Sequence, residues 1–353
     1  MNSFLNTMAR KAVELQASDI HLVAGSPAAF RIHGEIHVLG SDHLNAETLQ
    51  QNLLSVCTAA EQERLARELS VDLAVDLQDE VGTIRIRLSI FCDKHGLGGC
   101  IRIIPSQIPD LEWTNLPRSV VDRLLRFRNG LILVSGVTGS GKTTTLAVTL
   151  KMLAEGRGCR IITIEDPIEY RLPMTTRSIL SQHEVGRDVH SFADGLRVGL
   201  RLDPDVILVG EIRDRETAQM AVSAAETGHL VFSTVHSRDS KSAISRITDL
   251  YPQENQAEIR ALLALSLRAV VSQHLLPSID TKAKRELAIE VLYNNLAISS
   301  AIRTGRLETI DNNIKIGKNE GMLTMDDSIR KLMLEGKISR ETAVAFVSDA
   351  KSL

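Results

Sequence analysis

Aromatic residues are scarce in this chain of 353 residues: one Trp, three Tyr and seven Phe. The formal charge is only −3 and there is no basic run, so the chain offers neither stacking rings nor a cationic track. That argues against a nucleic-acid channel, and a protein partner is expected instead. Cysteine is equally sparse. Cys57, Cys92, Cys100 and Cys159 form no C-x-x-C pair, and no histidines cluster at ligand spacing. This excludes a zinc site and a disulfide framework, and it predicts buried, reduced thiols. Long apolar runs are missing too. Ala261–Leu276 is interrupted by Arg268 and Gln273 and falls short of the roughly twenty residues of a membrane span. The N-terminus has no basic segment followed by an apolar one, so no secretory signal is expected. These absences together predict a cytosolic protein.

What is present is a stretch around which the rest is organised: Gly136-Val137-Thr138-Gly139-Ser140-Gly141-Lys142-Thr143. It follows the apolar run Leu131–Val134 and precedes Thr144-Thr145-Leu146-Ala147-Val148-Thr149-Leu150, which reads as strand, glycine loop and helix. A phosphate chain needs a concave ring of backbone N–H donors, and the three glycines let the backbone turn sharply and approach the oxygens closely. The helix opening at Lys142 adds its positive end. Lys142 can reach the β- and γ-phosphates, the Thr143 hydroxyl is placed to ligate Mg²⁺, and Thr144 can bond towards the α-phosphate. The pattern occurs by chance in roughly one chain in a hundred of this length, and the flanking strand and helix reduce that further. Nucleotide triphosphate binding, with Mg²⁺ at the phosphates, follows.

The length allows two domains. Residues 1–104 read as α+β. Phe4, Leu5, Met8, Ala12, Val13 and Leu15 mark a helical face, and strands are expected at 20–23, 29–33 and 36–39. Asn45 or Ser41 is placed to cap one helix carrying Leu49, Leu53, Leu54, Val56 and Leu65. Three strand-like runs follow at 71–75, 84–88 and 100–104. In the second, apolar residues alternate with Arg85 and Arg87, which therefore share a polar face. A solvated sheet face explains them; so does a face that meets the triphosphate of a neighbouring subunit. Pro105, Pro109 and Pro117 mark residues 105–117 as a linker and hinge, neither helix nor central strand.

From 118 to 353 the pattern is that of an α/β domain ending in a helical part. Ile161–Ile164, Val206–Val209 and Leu230–Ser233 are short apolar runs of the kind buried on both faces of a parallel sheet, and Asp214 and Gly228 bracket a helix. Ligands of such sheets bind beyond the carboxyl ends of the strands. The first run ends in Glu165-Asp166-Pro167-Ile168-Glu169, the second in Gly210-Glu211 and the third in Thr234-Val235-His236. Two carboxylates therefore converge on the loop, one to help hold Mg²⁺ and one to deprotonate the attacking water. His236 follows the third strand and can sense a γ-phosphate, whereas His229, seven residues earlier, lies near the strand's opposite end.

Four boxes in order now stand on the page: Ala17-Ser18-Asp19-Ile20-His21-Leu22, Ile164–Glu169, Asp203–Asp214 and Glu226–His236. Together they resemble the hexameric secretion ATPases of type II secretion and type IV pili, with the pilus-retraction branch the nearest, and the match runs along almost the whole chain. The resemblance implies a RecA-like P-loop domain behind a PAS-like N-terminal domain. It implies that Glu165 activates water, that Glu211 supports Mg²⁺, and that His229 and His236 both belong to the catalytic set. It also implies that Arg85, Arg87 or Arg102 enters a neighbour's active site in a homohexamer. The motor would dock peripherally, through an inner-membrane platform protein, at the cytoplasmic face of the membrane. The tetracysteine motif of the longer assembly and type II secretion members is missing, which favours the retraction branch. The family's C-terminal Ala-Ile-Arg-Asn-Leu-Ile-Arg-Glu stands here as Ala297-Ile298-Ser299-Ser300-Ala301-Ile302-Arg303-Thr304. That departure also admits an accessory or conjugative pilus motor. A RecA-like DNA translocase is the alternative of another class, and it would need the basic, aromatic channel missing here.

Overall fold

Alternation of apolar and polar residues in the first hundred positions produces an antiparallel sheet with one face in the core. The protein, a computed structural model, is described over residues 3–32, 34–79, 82–104, 107–280 and 284–348. It divides into two compact units, Met1–Ile108 with Pro167–Arg171, and Pro109–Asp166 with Leu172–Leu353.

The first unit contains α1 (Ser3–Glu14), β1 (Ala17–Leu22), β2 (Ala29–Ile32), β3 (Glu35–Val38), α2 (Ala46–Leu54), α3 (Ala59–Glu68), β4 (Ser70–Asp79), β5 (Gly82–Asp93) and β6 (Gly96–Ile104). The six strands lie in the order β3-β2-β1-β6-β5-β4, all antiparallel. Leu5, Ala9 and Ala12 of α1 and Leu49 and Leu53 of α2 are buried with Ile20, Leu22, Ile86, Leu88, Ile90 and Ile101 of the sheet. Val13, expected on the buried face of α1, is 49% exposed. The single helix expected near Leu49–Leu65 is two. Asn45 caps the first, as its side chain accepts from Thr48 N–H. Thr58 and Glu61 then form a reciprocal capping box that starts the second, since each satisfies a first-turn donor that a continuous helix would not have exposed. His33, at the end of the expected second strand, lies outside the described residues, as do Pro105 and Ser106 of the expected linker.

The second unit contains α4 (Leu111–Thr114), α5 (Arg118–Arg126), β7 (Gly130–Ser135), α6 (Lys142–Gly156), β8 (Arg160–Glu165), β9 (Ile179–Glu184), α7 (Phe192–Gly199), β10 (Val206–Val209), α8 (Arg215–Glu226), β11 (Leu230–Val235), α9 (Ser240–Asp249), α10 (Gln256–Ser266), β12 (Leu267–Leu276), β13 (Glu286–Tyr293), α11 (Leu296–Thr304), α12 (Ile310–Ile316), α13 (Met325–Leu334) and α14 (Arg340–Phe346). The segment expected to be without helix does hold one turn, α4, because Leu111 is buried and both prolines that bound it fall outside the turn. The seven strands run β13-β12-β7-β11-β10-β8-β9. All neighbours are parallel except β12 and β13. Every residue of β7, β10 and β11 is buried, as continuous apolar runs covered by helices on both faces require. Asp214 caps α8 by accepting from Thr217 N–H, and Gly228 follows the helix at φ +116°. After β12 and β13 join the sheet, the described C-terminal residues form helices α11–α14, of which α13 and α14 pack on those strands through Leu276, Ala288, Ile329, Leu332 and Ala343. All four cysteines are free, and Cys92, expected buried, is exposed on the β5–β6 hairpin.

Candidate active site

Because β7, β8, β10 and β11 are parallel, their carboxyl ends open on one edge of the sheet. Here β7 delivers the glycine loop, β8 Glu165, β10 Glu211 and β11 His236. Gly136 leaves β7 at φ +152°, and a Cβ there would lie 2.3 Å from Ser140 Oγ and 2.6 Å from the Gln273 carbonyl oxygen. Only glycine fits that close crossing. Gly141, at φ +89°, is the N-cap of α6, whose first-turn N–H groups at Lys142, Thr143 and Thr144 point out of the helix end. Lys142 is buried, and its Nζ donates to the carbonyl oxygens of Gly136 (2.9 Å) and Val137 (3.1 Å). Thr138 and Gly139 form the exposed tip of the loop, and Thr143 and Thr144 are half-buried.

Glu165 is 8% exposed, and its Oε1 accepts from Thr163 Oγ1 at 2.6 Å and Gln182 Nε2 at 3.0 Å. Glu211 is also buried; Oε2 accepts from Arg213 Nε at 2.8 Å, and Oε1 lies 3.3 Å from His236 Nε2. Burial pushes His236 below the usual imidazole value; the Lys142 ammonium and Arg213 act in the same sense, and Glu211 pulls against them. A neutral imidazole must donate from Nε2 to bond a carboxylate, which leaves Nδ1 as an acceptor. Arg213 also reaches Asp166 at 4.0 Å, so the acids that follow β8 and β10 share one cation.

The structure does not bring every expected residue to this edge. His229 precedes β11, its Nδ1 3.0 Å from the Ala224 carbonyl at the end of α8. Along the strand it is about 20 Å from His236, so within one chain it does not share the loop's surroundings. Arg85, Arg87 and Arg102 belong to the first unit, and their environments differ. Arg85 is buried: Nε and Nη2 donate to the Ile168 carbonyl at 3.0 and 2.7 Å, and Nη1 to Asp76 at 2.9 Å. Within this chain it fastens residues 167–171 to the sheet. Arg87 and Arg102 face each other across β5 and β6. They pair with Asp72 (3.4 Å) and Asp19 (2.8 Å), with side chains 30% and 52% exposed.

Three residues at the site carry no signal in the sequence pattern. Gln273 of β12, 1% exposed, donates to the Ser140 carbonyl at 2.6 Å. Arg285 donates to the Gly139 carbonyl at 3.3 Å. Gln182 of β9 bonds Glu165. Each comes from a strand or hairpin far from its partner in sequence, so only the pairing of β12 with β7 and of β9 with β8 reveals it.

The loop fits a phosphate chain. The crossing at Gly136 keeps the backbone open, Ser140 Oγ is buried without a partner among the described residues, and the Lys142 ammonium rests on carbonyls that an anion can replace. The oxygen donors Thr143 and Glu211 suit Mg²⁺, a hard cation that keeps several waters. Both Glu211 oxygens already have partners, so any hold on a cation would run through water.

A family model described as type II/IV secretion system protein matches residues 1–342. The chain is 39% identical to uncharacterized protein YggR of Escherichia coli (strain K12) over 93% of this chain and 97% of that one. It is 36% identical to the type IV pilus retractation ATPase PilT of Pseudomonas aeruginosa, covering 93% of each. The crystal structure of the pilus retraction motor PilT with bound ADP superposes with a TM-score of 0.85 at 40% identity, covering 98% of this chain and 97% of that one.

Proposed function

The chain belongs to the type II/IV secretion system protein family and is an ATPase of that family, and on this premise we propose that it is the hexameric motor of pilus retraction. The observation that supports this reading is that the loop, Glu165, Glu211 and His236 all follow the carboxyl ends of parallel strands of one sheet, with His236 beside Glu211. In the proposed cycle Lys142 exchanges the Gly136 and Val137 carbonyls for the β- and γ-phosphate oxygens of ATP. Thr143 and, through water, Glu211 would hold Mg²⁺, which would neutralise charge on the phosphates. Glu165 takes a proton from the water that attacks the γ-phosphorus, and ADP leaves in line. The neutral His236 imidazole, bonded to Glu211 on one side, is placed to respond to the γ-phosphate. Arg87 or Arg102 of a neighbouring protomer would stabilise charge on the transferring group. The work is delivered to an inner-membrane platform protein at the cytoplasmic face, with residues 105–117 as the hinge between domains.

Two measurements test this. Lys142→Ala abolishes ATP binding, whereas Glu165→Gln binds MgATP yet hydrolyses it at least about a hundredfold more slowly, the scale of lost general-base help. In a bacterium deleted for its own retraction ATPase, the chain restores surface motility and Glu165→Gln does not. ATP turnover without restored motility would move the proposal to an accessory or conjugative pilus motor, in keeping with the altered Ala297–Thr304 segment of α11.

A further inference from the structure

Glu165 ends β8, and its Oε1 is held by two donors of neutral side chains. Thr163 stands two residues earlier on the same face of the strand. Gln182 sits directly beside Thr163 in the β8–β9 register. The Gln182 carboxamide is used at both ends: Nε2 donates to Glu165, and Oε1 accepts from Leu172 N–H at 2.8 Å. Leu172 is where the chain re-enters the second unit after the strap 167–171. That strap is gripped in its own unit by Arg85, on the Ile168 carbonyl, and by the ion pair between Arg171 and Asp76.

A side chain that must donate to a carboxylate and accept from a backbone N–H needs both functions at its tip, and a carboxamide supplies them. Gln182 is half-buried, so little water competes for either bond. From this geometry we propose that Gln182 is a positioning residue for ATP hydrolysis: it fixes the plane of the Glu165 carboxylate and ties it to the returning end of the strap. Its effect passes through Glu165, and it makes the base sensitive to where Leu172 lies. The inference rests on Glu165 being the base.

The test uses the full-length protein and four variants: Gln182→Met, Gln182→Glu, Glu165→Gln and the double variant Glu165→Gln/Gln182→Met. Gln182→Met keeps the volume and loses both bonds; kcat should fall about tenfold while the MgATP Kd stays within about threefold, because orientation of the base is lost and the phosphate loop is untouched. In the double variant the Gln182 change should slow Glu165→Gln no further, as groups acting through one another are non-additive. Gln182→Glu accepts from Leu172 but regains a donor only when protonated, so its kcat relative to wild type should rise as pH falls from 8 to 6. A merely structural role would give additive losses and no such pH trend. If Gln182→Met does not fold, the Gln182→Glu pH series decides alone. Wild-type kcat in Gln182→Met, or a flat pH ratio in Gln182→Glu, overturns the proposal while Glu165→Gln stays inactive. Near-normal kcat in Glu165→Gln instead removes the premise, and Glu211 becomes the next candidate base.

Discussion

Gln273 donates its Nε2–H to the Ser140 carbonyl oxygen at 2.6 Å, so β12 holds the glycine loop just past its exposed tip from a strand 133 residues away in the chain. The bond is buried, and Gly141 makes room for it, since a Cβ there would lie 3.2 Å from Gln273 Nε2. Gln273→Leu removes the donor and leaves a buried carbonyl unpaired, a cost of about 1–3 kcal/mol. Part of that cost falls on the loop conformation that receives phosphate. The MgATP Kd should rise about tenfold with a smaller change in kcat at saturation, the reverse of the split expected for Gln182→Met. Titration with a fluorescent nucleotide analogue reads it. A Kd equal to wild type in a variant of unchanged Tm would show that the loop holds its shape without the clamp.

Much of this site is legible in the sequence because its elements are local. The loop, its strand and its helix are contiguous, and the candidate carboxylates follow directly after runs whose burial is read from continuous apolar character. What is not legible depends on pairing. The run Ala261–Leu276 looks like one apolar segment, yet it is the end of α10 followed by β12, and its polar interruption, Gln273, is the loop clamp. Periodicity cannot divide such a run into helix and strand. Likewise β9 gives little sign of itself, since Ile179 is exposed and Ser181, Gln182 and His183 are only half-buried. Alternation along β5 puts Arg85 and Arg87 on one face, but what covers Arg85 is the carbonyl of Ile168, 83 residues away.

His236 gives a stability prediction with a definite sign. Burial, Lys142 and Arg213 lower its pKa in the folded protein, while the unfolded chain keeps the ordinary value near 6.5. Around and below that value the unfolded state therefore binds more protons, and the folded state loses stability as pH falls from about 7 through this window. His236→Asn does not titrate, so the Tm of wild type minus that of the variant should decrease between pH 7.5 and 5.5 in nucleotide-free protein. A difference independent of pH would mean that His236 ionises alike in both states.

Arg85 and Arg87 stand two residues apart on β5 and should fail in opposite ways. Arg85→Ala takes a buried donor from the Ile168 carbonyl, a loss of about 1–3 kcal/mol, while Asp76 keeps its pair with Arg171. Its Tm should fall by several degrees. Arg87 is half-exposed and its pairing with Asp72 is long, so Arg87→Ala should leave Tm near wild type. If Arg87 acts on a neighbour's nucleotide, the same variant should nonetheless be nearly inactive, and the defect should be repairable in a mixed ring. An Arg87→Ala protomer keeps a good loop, and a Lys142→Ala protomer keeps a good arginine. Random mixing at equal amounts makes roughly a quarter of interfaces competent, as a residue supplied in trans across a cyclic interface requires. Phosphate release from the mixture should therefore exceed that of either parent, with native mass spectrometry confirming that hybrid rings form. Hybrid rings that release no more phosphate than the parents would exclude Arg87 from that role, and the same pairing with Arg102→Ala then decides whether the exposed arginine of β6 acts instead.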